Sequence, residues 1–487
     1  MAGGSMTDGF KAAGFKAEGF KAEARGGGGV ELHLELGAGG SRRAAVAAAL
    51  REAVRSGRLA PGTRLPPYRT LAEDLGVARN TVADAYAELV AEGRLTARQG
   101  SGTRVAERVA ARPQRVPEKA ARSAAPLHDL RQGQPDATSF PRADWAAAVR
   151  RALATAPHDA FAPPHPQGRP ELRRALAEYL ARARGVSAAP DRIVVCAGFA
   201  HGLRLLFGGG VLAGPLAVEA YGLPFHRSVL DAAGVRTVPV ALDGKGARTD
   251  LLPEGRGGAR AALLTPAHQF PTGGPLDPAR RAAAVDWARG RGGVVLEDDY
   301  DGEFRYDREP VGAVQGLDPD HVVYLGSVSK SLSPAIRLGW MVLPAHLVEP
   351  VLAAKGLREA WTGVTDQLAL ASLIEAGHYD RHLRRMRRRY RERRNRLVAA
   401  LAERAPHLAV TGVAAGLHAV VELPPGTEAA TVEAAASAGI ALDGLAAFRH
   451  PESEQPHRDG LVVGYAAPAE HRYGAALDAL CRVLPPA

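Results

Sequence analysis

Residues of reactive type stand directly behind short apolar runs in the second half of the chain. Gly293-Val-Val-Leu is followed by Glu297-Asp298-Asp299-Tyr300, and Val322-Val-Tyr-Leu325 by Gly326-Ser327-Val-Ser329-Lys330, with Arg337 shortly beyond. Ile193–Cys196 leads into Ala197-Gly198-Phe199-Ala-His201, a stretch that opens a helix and offers free amides to a phosphate. A lysine amine that is partly desolvated and held can capture a carbonyl as a Schiff base. A buried carboxylate can keep a pyridine nitrogen protonated so that the ring draws electrons. A phenol can donate to a ring oxygen, and arginine with serine can take a phosphate. One by one these residues say little: a lysine after a strand is usually a solvated loop residue, and Asp298-Asp299 could simply cap a helix. Together, and in this order, they are what pyridoxal phosphate needs.

A second constellation lies near the start of the chain. Arg79, Asn80 and Thr81 open a segment of helical period, and a helix N-terminus in a major groove puts such residues at the bases. Arginine takes guanine in bidentate fashion, asparagine takes adenine, and threonine suits a phosphate or a thymine methyl. Arg69 is placed for a phosphate. Gly100, Ser101 and Gly102 form a hairpin tip whose amides can approach a minor-groove edge, with Arg98 and Arg104 beside it. From these residues alone, a three-helix packing module with exposed arginines stays open as the plainer reading.

The elements that must position these residues follow from periodicity and breakers. Ser41 reads as an N-cap for a helix with Val46, Leu50 and Val54 on one face, stopped by Gly57. Pro61-Gly62 is a turn, Tyr68–Leu75 a second helix, and Ala78–Glu92 a third that buries Val82, Tyr86, Leu89 and Val90. Arg94–Arg98 and Thr103–Val105 flank the glycine tip as a β-hairpin. That order, two helices, a glycine turn, a third helix and a hairpin, is a winged helix-turn-helix. Beyond it, strands are expected at Ile193–Cys196, Ala217–Glu219, Val235–Val240, Ala261–Thr265, Val294–Glu297 and His321–Leu325. Helices are expected at Glu171–Arg184, Pro278–Arg289 and about Asp380–Ala402. Such alternation predicts an α/β domain with a mostly parallel sheet, followed after Arg404 by a smaller α+β lobe. The expected boundaries are a disordered tail over 1–36, a DNA-binding domain over 37–106, an Ala/Arg/Pro linker over 107–126 and the α/β domain over 127–487.

Bulk properties narrow the class. A chain of 487 residues with 46% hydrophobic content can bury large cores in more than one domain. No run of about 18–20 apolar residues is present to span a membrane. Charged residues interrupt any hydrophobic region near the N-terminus, so no signal peptide is expected. Only two cysteines, Cys196 and Cys481, argue against a disulfide framework or a zinc-ligand set and for the reducing cytoplasm. The net charge of +10 is uneven: Ser41–Arg122 holds 16 Lys+Arg against 8 Asp+Glu. Asp380–Arg396 holds ten arginines against two acids, which reads first as a solvated helix face.

The segment Leu65-Pro-Pro-Tyr-Arg-Thr-Leu-Ala-Glu-Asp-Leu-Gly-Val-Ala-Arg-Asn-Thr-Val82, with Tyr86, Leu89, Glu92-Gly93 and Gly100-Ser-Gly102, closely resembles the GntR-type winged helix. Ser327-Val-Ser-Lys-Ser-Leu-Ser-Pro-Ala-Ile-Arg337-Leu-Gly-Trp340 resembles the Schiff-base segment of fold-type I aminotransferases. Thr265-Pro-Ala-His-Gln-Phe-Pro-Thr-Gly273 and Glu297-Asp-Asp-Tyr-Asp-Gly-Glu-Phe304 look like its MocR-type variant. The MocR-type regulators of the GntR superfamily join these two parts, and the resemblance runs from about Gly37 to the C-terminus. It implies a homodimeric transcription regulator with a fold-type I domain holding pyridoxal 5'-phosphate as an internal aldimine. Lys330 would be the Schiff-base lysine, Asp298 the partner of the pyridine nitrogen, and Tyr300 that of the ring oxygen. Ser327 and Arg337, with amides near Gly198 and Phe199, would take the phosphate, and His268 and Gln269 would lie at the ring-facing loop. Arg69, Arg79, Asn80, Thr81 and the Gly100–Gly102 wing would contact double-stranded DNA. The long arginine-rich helix would join the two lobes, which favours a structural role for its charge over a second DNA site.

Three departures bear on activity. Glu219-Ala-Tyr-Gly222 is followed by Leu223 where the family stacks an aromatic on the cofactor, leaving Tyr221 or Phe225 to substitute. Pro163, with Phe161 nearby, replaces a tyrosine that reaches the partner subunit's phosphate in many aminotransferases. Val462 stands where the arginine that grips a substrate carboxylate would fall, and bidentate arginine is hard to replace. The expectation is therefore a regulator controlled by pyridoxal phosphate, alone or with an amine or amino-acid effector, that does not turn over amino acids efficiently, although Arg227 could hold an acidic effector. The competing readings are an aminotransferase with a DNA-binding appendage and a DNA-binding protein with a decayed pocket.

Overall fold

A computed structural model describes residue 34 and residues 41–98, 102–107, 126–253, 258–306, 311–356 and 362–487. The hairpin tip at Gly100 and Ser101, and nearly all of the expected tail and linker, lie outside the described residues. Contacts divide the chain into two compact units, residues 1–123 and 124–487.

The first unit packs three helices, Arg42–Arg55, Tyr68–Asp74 and Arg79–Ala91, against a hairpin of Leu95–Arg98 and Gly102–Val105. The Ser41 hydroxyl accepts from the Ala44 amide at 3.3 Å and so caps the first helix. Val46, Leu50 and Val54 share its inner face and meet Leu71, Val82, Tyr86 and Leu89 in one core. Arg51 crosses from that helix to Glu88 and Glu92 on the third, binding the Glu92 carboxylate through Nε at 2.9 and 3.0 Å. Inside, the Tyr86 hydroxyl donates to the Pro66 carbonyl at 3.0 Å and thereby fixes the third helix against the turn before the second. The hairpin is antiparallel, with Leu95 opposite Val105 and Arg98 opposite Gly102.

The second unit is built on a seven-stranded sheet. Its spatial order is Ile193–Cys196, Gly339–Val342, Val322–Ser327, Val294–Asp298, Ala261–Leu264, Leu216–Glu219 and Thr237–Val240. All neighbours are parallel except those of Gly339–Val342, which runs antiparallel to both of its partners. Six of these strands fall where apolar runs predict them. The seventh, Gly339-Trp-Met-Val342, lies outside the expected strands although it is as long and as buried as Ile193–Cys196, and the expected strand over Val235–Val240 starts only at Thr237. The central strand Val294–Asp298, parallel to both neighbours and covered on both faces, is buried throughout, as is the edge strand Ile193–Cys196, whose neighbour Gly339–Val342 is antiparallel.

The remaining elements form the smaller lobe. Val410–Thr411, His418–Glu422, Gly460–Gly464 and Asp443–Gly444 make an antiparallel sheet, flanked by helices Glu428–Ser437 and Glu470–Val483. The short strand His128–Asp129, at the beginning of the unit, pairs in parallel with Ile440–Ala441 and so belongs to this lobe. Leading into the lobe is a helix of 27 residues, His378–Arg404, slightly longer than its predicted span. Its buried Arg393 donates to Asp136 at 3.2 Å, to Glu470 and to the Ala466 carbonyl, while Arg389 pairs with Asp136 at 2.8 Å. Part of its charge is therefore structural.

Candidate functional site

Parallel strands deliver their carboxyl ends to one edge of the sheet, where α/β proteins bind ligands. At that edge lies a cavity of about 330 Å³. Asp298 ends one central strand and Ser327 its neighbour, with Leu325 in register with Asp298. The strand Gly339–Val342 pairs Gly339 with both Ser327 and Cys196. A Cβ on Gly339 would lie 2.7 Å from the Gly198 Cα, so only glycine lets the Gly198 turn approach this closely. Gly198, Phe199, Asp298, Tyr300, Ser327, Lys330 and Arg337 all line the one cavity.

The Lys330 amine donates to the Gly133 carbonyl at 2.5 Å. Desolvation lowers its pKa, against the opposing pull of Asp298 and Asp301. The Asp298 carboxyl is buried and accepts no hydrogen bond from the described residues. Burial, then Asp299 and Asp301, raise it well above the usual carboxylate range. A buried acid without a donor fits a protonated heterocyclic nitrogen, which would supply both a hydrogen bond and the missing positive charge. Tyr300 is also raised by burial and therefore keeps its proton. Its hydroxyl lies 2.9 Å from His268 Nδ1, and the same nitrogen lies 2.9 Å from Asp301 Oδ2. One ring nitrogen has a single hydrogen-bonding direction, so His268 Nδ1 either donates to Asp301 or accepts from Tyr300, and Asp301 is also a hydrogen-bond partner of the phenol.

At the other end of the cavity the Arg337 guanidinium donates to the Ala197 carbonyl at 2.5 Å and faces Gly198. Arg337 is the only non-glycine residue with positive φ, +57°, among the described residues. Gly198 caps the short helix Phe199–Leu203, whose first amides have no partner inside the helix. Arg204 joins the lining here. Guanidinium groups and helix amides around one space form an anion cradle.

Several expectations need correction. Asp299 caps no helix: it forms a buried ion pair with Arg184, at 2.6 and 3.0 Å, and accepts from Tyr324 at 2.6 Å. His268 and Gln269 do not line the cavity but stand behind it. Gln269 donates to Glu219 and to the Tyr221 carbonyl, and His268 backs Tyr300. Arg227 lines the cavity, yet its guanidinium donates to the carbonyls of Gly222, Phe448 and Arg449. It ties the smaller lobe to the larger with three of its five N–H donors, the others remaining for a ligand in the cavity. Val462 is fully buried in the apolar cluster that holds Tyr221, Phe270, Leu445 and Phe448.

The geometry also recruits residues that local sequence did not single out. Gly133 holds the lysine amine, and nothing periodic in Gln132-Gly133-Gln134 announces it. Glu219 lines the cavity. Burial pushes it up to about 7, and Thr265 donates to it at 2.5 Å. His226 lies over Phe199 with ring centroids 4.4 Å apart, and burial pushes its pKa down to about 3. Tyr221, which the sequence did single out as a possible stacking aromatic, lines the same wall, fully buried, with its hydroxyl unpartnered among the described residues.

In the first unit, Arg79 and Asn80 are exposed and Thr81 half-buried at the start of the helix Arg79–Ala91. Ala78 provides no side-chain cap, so the amides of Arg79 and Asn80 remain open toward an anion, while that of Thr81 donates to the Ala78 carbonyl at 2.9 Å. Arg69 is exposed on the preceding helix, and Arg104 donates to the Gly62 carbonyl at 2.9 Å.

Fold and site together define a winged-helix head joined to a unit of fold-type I aminotransferase architecture. The model of bacterial regulatory proteins of the gntR family matches residues 42–105, and that of aminotransferase class I and II matches residues 126–454. The HTH-type pyridoxine biosynthesis transcriptional regulator PdxR of Corynebacterium glutamicum is 33% identical, over 86% of this chain and 90% of its own. The protein named "Probable rhizopine catabolism regulatory protein MocR" of Rhizobium meliloti is also 33% identical, over 86% and 88%. Among solved structures, an archaeal alanine:glyoxylate aminotransferase superposes with a TM-score of 0.67 at 22% identity, covering 74% of this chain and 91% of its own. LysN, the α-aminoadipate aminotransferase of Thermus thermophilus, complexed with N-(5'-phosphopyridoxyl)-L-leucine, does so at 0.65 and 25%, covering 73% and 91%. The chain belongs to the MocR-type regulators of the GntR family. It is a DNA-binding transcription regulator with an aminotransferase-like second unit.

Proposed function

We propose that this regulator reads pyridoxal 5'-phosphate through the cavity of its second unit, and that occupancy changes its affinity for DNA. The observation that carries the reading is the convergence of Lys330, Asp298, Tyr300, Ser327, Arg337, Gly198 and Phe199 on one cavity. Lys330 would hold the cofactor covalently, Asp298 would pair with its ring nitrogen and Tyr300 with its ring oxygen. Ser327, Arg337 and the Gly198–Phe199 amides would take its phosphate. When bound, such a group withdraws electrons from an attached amine. The protein's own residues would orient it, neutralise it and exclude water. The Arg79, Asn80 and Thr81 edge, with Arg69 and the Gly100–Gly102 wing, would meet DNA. The acting form would be a cytoplasmic homodimer, with domain limits near 37–106 and 127–487.

Val462, buried and apolar where the resemblance puts a carboxylate-gripping arginine, argues against recognition of an effector carboxylate at that position. The cofactor itself, or an amine bound beside it, fits the apolar wall of Tyr221, Leu223 and Phe270 better. Coupling requires two states that differ in DNA affinity. The test is a visible absorbance spectrum of the purified protein with and without added cofactor, beside Lys330→Ala. A band that borohydride abolishes and the variant lacks is expected, followed by a shift in DNA affinity on titration with cofactor. Absence of the band at excess cofactor would leave a DNA-binding protein that senses something else.

A further inference from the structure

The ten arginines between Asp380 and Arg396 divide into two sets once the helix His378–Arg404 is folded. Five have partners inside the unit: Arg385 with His382, Arg387 with the Glu303 carbonyl, and Arg389, Arg393 and Arg396 with Asp136 or Glu470. Arg394 is half-buried. Arg381, Arg384, Arg388 and Arg391 are exposed and take no ion pair or hydrogen bond with the described residues. Their spacing of three, four and three residues puts them within about 80° of one another around the helix. From 381 to 391 they span ten residues, about 15 Å at 1.5 Å per residue. Asp380, the nearest acid at the start of the helix, is already paired with Arg182 at 2.8 Å, and Glu392 lies beside Arg388 and Arg391.

Arginines whose only task was to hold the lobes together would have partners, as the first set does. A straight stripe of unpaired guanidinium groups on a rigid helix suits a regular polyanion, because each can hold a phosphate by paired hydrogen bonds. We propose that this face of the second unit binds the phosphate backbone of duplex DNA, apart from the site read by the winged helix. DNA is the occupant favoured here because this regulator already holds DNA. About 15 Å of duplex carries roughly nine phosphates, of which about three can face the stripe. The contact would be independent of sequence and would lengthen the stretch of DNA engaged.

The experiment uses the full chain and random-sequence duplexes of about two and about six helical turns, with binding measured by anisotropy against salt. Arg381→Gln/Arg384→Gln/Arg388→Gln/Arg391→Gln is compared with Arg79→Ala, which alters only the winged helix. All four stripe residues are exposed, so an unchanged circular dichroism spectrum and melting temperature are required of the variant. The expected result is a plot of log affinity against log salt that is shallower by about two to three, near 0.9 per lost phosphate contact, on the long duplex. Arg388→Glu/Arg391→Glu should weaken long-duplex binding further. An unchanged slope in the quadruple variant, with the slope lowered by Arg79→Ala, overturns the proposal. So does an altered sedimentation mass at unchanged slope, which would assign the stripe to an acidic face of a second copy.

Discussion

At the scale of the residue, the site depends on how one amine is held. Lys330 reaches across to the Gly133 carbonyl, and Gly133 has φ +72° with its missing Cβ pointing at the amine, 3.0 Å from Nζ. Alanine there would take a left-handed conformation at a cost of about 1–2 kcal/mol and would displace the amine as well. Gly133→Ala is therefore expected to lose about 1–2 kcal/mol of stability and, because its methyl displaces the amine, to bind pyridoxal phosphate more weakly. A spectral titration of cofactor on both proteins reads this directly, and equal midpoints would show that the glycine serves only the turn.

At the scale of the element, the lysine turn is pinned by the long helix. Tyr379 donates to the Ser331 hydroxyl at 2.8 Å, and His382 Nε2 lies 2.8 Å from the Ser331 carbonyl. Arg385 lies 3.0 Å from His382 Nδ1, so the imidazole is held as the neutral tautomer that donates through Nε2 and accepts through Nδ1. Burial pushes His382 down to about 4. A base whose folded pKa lies below its unfolded value near 6.5 takes up a proton more readily when unfolded. Its contribution is complete above about pH 6.5 and is lost as the pH falls through 4, by up to about 1.4 kcal/mol per pH unit. Urea unfolding of the wild type and of His382→Gln across that range should show the wild type losing stability faster on acidification. A difference between the two that stays constant with pH would mean that His382 does not titrate on unfolding.

At the scale of the whole molecule, two units with separate cores predict separable stability. The three-helix head is closed around Val46, Leu50, Val82, Tyr86 and Leu89, and the second unit around its sheet. Thermal unfolding is expected to resolve two transitions. Pyridoxal phosphate should raise only the one that Lys330→Ala makes insensitive to it, by about 2.7 kcal/mol at a hundredfold excess over the dissociation constant. A duplex should raise the other. One transition moved as a whole by either ligand would show that the units unfold as one.

The sequence by itself determined the elements and the candidate chemistry. Helical period and breakers place the helices of the head to within a residue or two, because capping and amphipathic spacing are local. Apolar runs place six of the seven large-sheet strands, because strands buried on both faces must be continuously apolar. Residues directly after those runs lie at the same sheet edge, which is why Asp298, Ser327 and Lys330 can be chosen as candidates without coordinates. Tertiary structure alone decided what depends on distant segments meeting. It brings Gly133 to the Lys330 amine across 197 positions. It turns Asp299 away to Arg184, commits Arg227 to backbone carbonyls and puts His128–Asp129 into the smaller lobe. It also separates the arginines of one helix into those with partners and those facing outward. A charge or a donor has no fixed role until its neighbours are known, and for these residues the neighbours come from elsewhere in the chain.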